Sequence, residues 1–220
     1  VPSGVRAITL MHVRHGSLRR EQTVSPGERM ARFGVPVSRG LPRDLQAGGG
    51  LIGADAEARR IFGTAAEGAS LVQPDLAATL GAIRQRGGGE FFQGAFARTF
   101  SEQVSLAGGS LPFETLRSTV PQASAPLTET HYRSRVYTAP APAAGAAAMA
   151  GWKGQQPGGS APADSGGFAG FAVVDVRGGA AACALSMGQL FGARVVVPGT
   201  GILLGAPTPA AASVSPMVIG

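Results

Sequence analysis

Residues 168–187 read FAGFAVVDVRGGAAACALSM. Two apolar runs, Phe168 to Val174 and Ala180 to Ser186, flank Asp175 to Gly179. The Arg177-Gly178-Gly179 turn between them predicts an antiparallel hairpin, because adjacent glycines supply the positive φ that tight turns require. The first strand begins with Phe168, Ala169 and Gly170, whose side chains carry no hydroxyl, thiol or amine. The hairpin is a β signal in a chain whose earlier part has helical periodicity, so its reading decides the fold class.

Upstream of it, VRAITLMHVRHG spaces Val5, Ile8, Leu10, Met11 and Val13 as a helix that Gly16 stops. PGERMARFG predicts a helix starting near Pro26 and ending at Gly34, and DAEARRIFG repeats the design. In PDLAATLGAIRQRGG, Leu76, Leu80 and Ile83 recur at helical spacing. EFFQGAFARTFSEQVSLAGG predicts one further helix, with Phe92, Phe96, Phe100 and Val104 on one face as core. LPFETL is a short helix or turn. HYRSRVYTAP switches to β-branched and aromatic residues, the signature of a strand.

From Pro140 to Gly167 the chain is rich in Ala, Gly, Pro and Ser, with Met149 and Trp152 as its sizeable anchors, and is expected to be a linker. ARVVVPGTGILLG continues after the hairpin as strand and Gly-rich turn, and ASVSPMVI closes with a short strand. The expected organisation is a helical part over 1–139, a linker over 140–167 and a β-hairpin part over 168–220, packed together as one compact domain. Helices first and antiparallel strands last make the fold class α+β.

Composition narrows the function classes. Net charge is +6, and 18 of the 19 basic residues are Arg, Lys153 being the exception. With abundant Ala and 34 Gly, this usage reflects a GC-rich bacterial genome. The arginines are scattered from Arg6 to Arg194 without aromatic interleaving, which argues against a nucleic-acid interface. No apolar run is long enough to span a membrane, and the opening VPSGVRAITL has no Met and no signal-peptide pattern, as expected of a processed chain or one product of a precursor. The lone Cys183 excludes an internal disulfide framework and, inside AAACALSM, is expected to be a small core residue.

Segments in order along the chain resemble the gamma-glutamyltranspeptidases, a branch of the N-terminal nucleophile hydrolases. VPSGVRAITLMHVRHGSLRREQTVSPGERMARFGVPVSRGL is similar to the opening of the family's large subunit, and LVQPDLAATLGAIRQRG to its QPDLA helix. EFFQGAFA, AGGSLPFETL and YRSRVYTAPAPAAGAA resemble three further large-subunit segments. FAVVDVRGGAAACALSMGQLFGARVVVPGTGILL is similar to the start of the small subunit, and ASVSPMVI to a motif near the substrate pocket. The resemblance implies a reduced four-layer αββα sandwich. It also implies γ-glutamyl hydrolase or transferase chemistry on glutathione-like compounds, provided that the site is intact.

That chemistry demands a Thr at the head of the small-subunit strand. Autoproteolysis frees its amine, which then serves as base for its own hydroxyl. Aligned on the VVD that follows, this position is Phe168. The hydroxyl residue that supports the nucleophile corresponds to Ser186, and an Asn two positions on to Gly188. Residues 205–209 lack the carboxylates expected after GILL, and the carboxylate-binding serine pair is reduced to Ala212 and Ser213. The oxyanion-hole glycines would lie beyond Gly220, and the Pro-rich run carries Ala143 and Ala144 where the family has serines. The comparison leads to the expectation that the segment before VPSG, a helical stretch between Trp152 and Phe168, and the C-terminal part of the family fold are missing.

The expectation is therefore an inactive relative with no catalytic residue, in which Phe168, Ser186, Gly188 and Ser213 are vestigial site positions. It would serve as a structural or accessory subunit, its sheet edges covered by another chain or a second copy. The alternative is an active γ-glutamyl hydrolase or transferase. Ser165 in DSGG is a substitute nucleophile only if cleavage exposes its amine, and Cys183 only if it is exposed. His12 and His15 have metal-compatible helical spacing but no third ligand, and His131 fits a strand-end polar residue. The glycines of VVVPGTGILLG fit tight turns, since no Lys-Ser/Thr and helix follow to make a phosphate loop. Neither residues nor resemblance require a cofactor or metal. The resemblance to exported bacterial members favours the periplasm.

Overall fold

The computed structural model describes residues 4–48, 51–131, 133–141, 143, 145–152, 168–206 and 217–219. In chain order the elements are α1 (Gly4–His15), α2 (Arg20–Phe33), β1 (Val35–Pro36), α3 (Gly40–Ala47), a 3-10 turn (Leu51–Ala54), α4 (Ala56–Phe62) and β2 (Ser70–Leu71). Next come α5 (Pro74–Arg86), α6 (Glu90–Gln93), α7 (Ala95–Leu106) and α8 (Phe113–Ser118). The remainder is β3 (Leu127–His131), β4 (Ser134–Thr138), α9 (Gly145–Trp152), β5 (Phe168–Val174), β6 (Ala180–Ser186), β7 (Val196–Val197), β8 (Ile202–Leu203) and β9 (Met217–Ile219). The chain divides into two units, residues 1–122 with 194–204 and residues 123–193 with 205–220.

The first unit is built on the aromatic stripe that the sequence displays. Phe91, Phe92, Phe100, Val104, Leu111, Leu116 and Val197 form its buried cluster, with Val5, Ile83, Phe96, Ile202 and Leu204 packed against it. The Phe91 ring lies 5.1 Å from Phe92, 5.1 Å from Phe96 and 5.4 Å from Phe100, distances at which aromatic pairs gain beyond their buried area. Arg6 stacks its guanidinium 4.3 Å from the Phe92 ring centre and donates to the Arg117 and Thr119 carbonyls at the end of α8. One cation thus joins α1 to the C-terminal carbonyls of another helix, where positive charge is favoured.

Helices α2 and α5 pack through small residues and one carboxylate. Glu28 of α2 is 9% exposed and accepts from Arg84 Nε of α5 at 2.6 Å and from Arg32 at 3.0 Å. Gly81 lies beside it, so that a Cβ there would sit 3.3 Å from the Glu28 carboxylate. Arg20 Nε reaches the Arg84 carbonyl at 3.1 Å. Strands β1 and β2 pair antiparallel, as do β7 and β8 with Val197 opposite Ile202.

Two helix boundaries differ from the sequence expectation. Helix α2 starts at Arg20 and runs through Pro26. The residues ahead of Pro26 form a first turn in which Gln22 Oε1 accepts from Arg19 N at 3.0 Å. Pro26 forfeits one hydrogen bond, and the packing of α2 on α5 outweighs that local loss. The single helix expected within 90–109 is instead α6 and α7, separated at Gly94, whose ψ of −170° is extended. The Glu90 carboxylate folds back to accept from Phe96 N at 3.2 Å and caps α7, in space that a Cβ at Gly94 would occupy.

In the second unit β3, β4 and β9 form an antiparallel sheet with β4 central. Val136 and Thr138 of β4 are buried, as is Met149 of α9. Helix α9 lies within the stretch expected as linker, because GAAAMAGW combines strong helix formers with an apolar anchor. The rest of that stretch, residues 153–167, lies outside the described residues.

Candidate functional site

Strands β5 and β6 pair over seven registered positions, from Phe168 opposite Ser186 to Val174 opposite Ala180. Their connection is organised by Asp175, whose Oδ1 accepts from Arg177 N at 2.7 Å and Gly179 N at 2.8 Å. Gly178, at φ +83°, takes the left-handed position that the sequence assigned to this turn. The carboxylate of the VVD triplet therefore holds the turn. It is a structural acceptor at the end of the hairpin opposite Phe168.

At the other end, the ladder places Ser186 directly across from Phe168. Ser186 Oγ accepts from Gly188 N at 3.0 Å, and Gly188 has φ +80°. This hydroxyl thus braces the start of the loop that leaves β6. Of the four positions that the sequence singled out, the structure brings three, Phe168, Ser186 and Gly188, to one end of one hairpin. The fourth, Ser213, lies outside the described residues, as does Ser165. At the strand head, Phe168, Ala169 and Gly170 bring no nucleophilic side-chain atom. An acyl-transfer site needs a nucleophile within hydrogen-bond reach of a base. The nearest hydroxyl by register, Ser186, has a backbone amide as its described partner.

The loop from Met187 to Arg194 carries a feature that residue types did not signal. Phe191 and Arg194 both adopt φ +60°, an uncommon conformation for residues with a side chain. Cys183, expected in the core, is instead half-buried on β6 opposite Phe171, because the hairpin is open where a core was anticipated. His15 is exposed at the end of α1 and His12 half-buried one turn before it. No cluster of three metal-ligating residues occurs among the described residues. His131 ends β3, as its strand-end reading requires. In 197–202, Gly199 and Gly201 have φ near +68°, and Thr200 Oγ1 accepts from Ile202 N at 3.1 Å, which is turn chemistry.

Strand β5 is exposed on both faces, whereas residues 181–184 of β6 are half-buried. Phe171 and Val173 point to one side and are 53% and 59% exposed, while Val174, on the other side, is 74% exposed. Val176 at the tip is fully exposed. In an ordinary antiparallel sheet one face is covered. Among the described residues β5 pairs with β6 alone.

The gamma-glutamyltranspeptidase family model matches residues 1–155. The chain belongs to the gamma-glutamyltranspeptidase family. It is 28% identical over 149 residues to the glutathione hydrolase proenzyme of Escherichia coli K12, a match covering 66% of this chain and 26% of that protein. It is also 28% identical to glutathione hydrolase 2 of Arabidopsis thaliana, again over 26% of the relative. Among solved structures, the gamma-glutamyltranspeptidase of Pseudomonas nitroreducens superposes with a TM-score of 0.64 at 27% identity, over 70% of this chain and 46% of that one. The cephalosporin acylase of Bacillus halodurans superposes over 100% of this chain and 57% of its own, with a TM-score of 0.76 at 18% identity, which bears on fold alone. The fold is that of the N-terminal nucleophile hydrolases, with helices in the N-terminal part and antiparallel strands at the C-terminal end. The chain spans about a quarter of the curated relatives and about half of the solved ones. No helix among the described residues is long and apolar enough to cross a membrane.

Proposed function

We propose that this member of the gamma-glutamyltranspeptidase family is catalytically inactive and acts as a structural or accessory subunit of a protein assembly. The observation that carries the reading is Phe168 at the head of β5, opposite Ser186. The family match ends at residue 155, so Phe168 is assigned to the nucleophile position by the order of motifs and by the VVD triplet. A phenyl side chain offers neither a nucleophilic atom nor a proton to transfer, and the family mechanism draws both nucleophile and base from that one residue. Gly188 and the absence of a carboxylate over 205–209 remove further expected contacts to a γ-glutamyl group.

The accessory role is supported by the exposed hairpin. Apolar side chains on both faces and an edge strand of seven uncharged residues are features that association covers. Export to the periplasm is the setting we infer from resemblance to bacterial members, and cell fractionation tests it.

The function itself is tested by incubating purified chain with a chromogenic γ-glutamyl anilide while following its intact mass and N-terminal sequence. The expected outcome is no turnover and no new terminus between Ser165 and Phe168. Turnover that tracks the pure chain, with a new terminus in that window, would instead support a γ-glutamyl hydrolase or transferase like the relatives named above.

A further inference from the structure

We draw no further inference here: the strongest candidate, the β5–β6 hairpin with its apolar side chains exposed on both faces, is an unpartnered surface, and nothing in the structure shows what covers it.

Discussion

At the scale of single residues, Glu28 shows most directly how this chain uses charge. Its carboxyl lies below its ordinary value of 4.5, first because Arg84 donates to it, with Arg32 adding a second hydrogen bond against the opposing cost of burial. A carboxyl whose folded pKa is depressed contributes stability above its unfolded pKa, and that contribution disappears as pH falls through the folded value. Glu28→Gln keeps the shape and removes the charge. It is expected to cost roughly 1.5–3 kcal/mol at neutral pH, the range for hydrogen bonds to charged groups. The difference from the parent chain should shrink as pH falls through that lowered folded value, where the parent's carboxyl becomes neutral as well. Urea melts of both proteins, taken in steps from pH 7 into the acid range, check this, and a difference that stays constant throughout would rule out the ionic account. Phe168 poses a different residue-scale test. Phe168→Thr restores only the hydroxyl, while Gly188 and residues 205–209 stay as they are, so γ-glutamyl anilide turnover should remain at background. Strong turnover by this variant would show that the other erosions are immaterial.

At the scale of elements, legibility followed the strength of local signals. Helix α5 was readable because Pro74 opens it, apolar residues recur at helical spacing and Gly87 ends it at φ +90°. Hairpin β5–β6 was readable because Asp175 and Gly178 sit where a tight turn needs them. The start of α2 was not, since Pro26 is a strong local start signal, and packing against α5 carries the helix on through it to Arg20. The division of α6 from α7 escaped because it depends on a carboxylate returning to cap a helix six residues on. The aromatic stripe was legible as core, and its energetic weight can be tested. Phe100 is fully buried and lies within 5.9 Å of both Phe91 and Phe96, so Phe100→Ala should cost about 3–5 kcal/mol. Thermal melts check the value. A loss below about 1 kcal/mol would mean that α7 is not anchored through this ring.

At the scale of the whole molecule, the issue is what the exposed apolar strand β5 does between copies of the chain. A net charge of +6 opposes self-association at long range, but β5 carries no charge and repels nothing at contact. Short-range burial should therefore prevail once strands meet, provided that a matching edge is available. Val174 is the sharpest probe, because its side chain is 74% exposed and packs against little within its own chain. Val174→Lys places a charge on that face and should leave the melting midpoint nearly unchanged, as surface substitutions generally do. If the hairpin is an interface, the parent chain should elute above its 22.1 kDa mass, or bring a second protein with it, and the lysine variant should return to the monomer. Light scattering behind a sizing column reads mass directly and separates a second copy from a different partner. A monodisperse 22.1 kDa parent that melts cooperatively and copurifies with nothing would remove the reason to assign this chain to an assembly. The proposed loss of the nucleophile at Phe168 would then stand without an assembly role beside it.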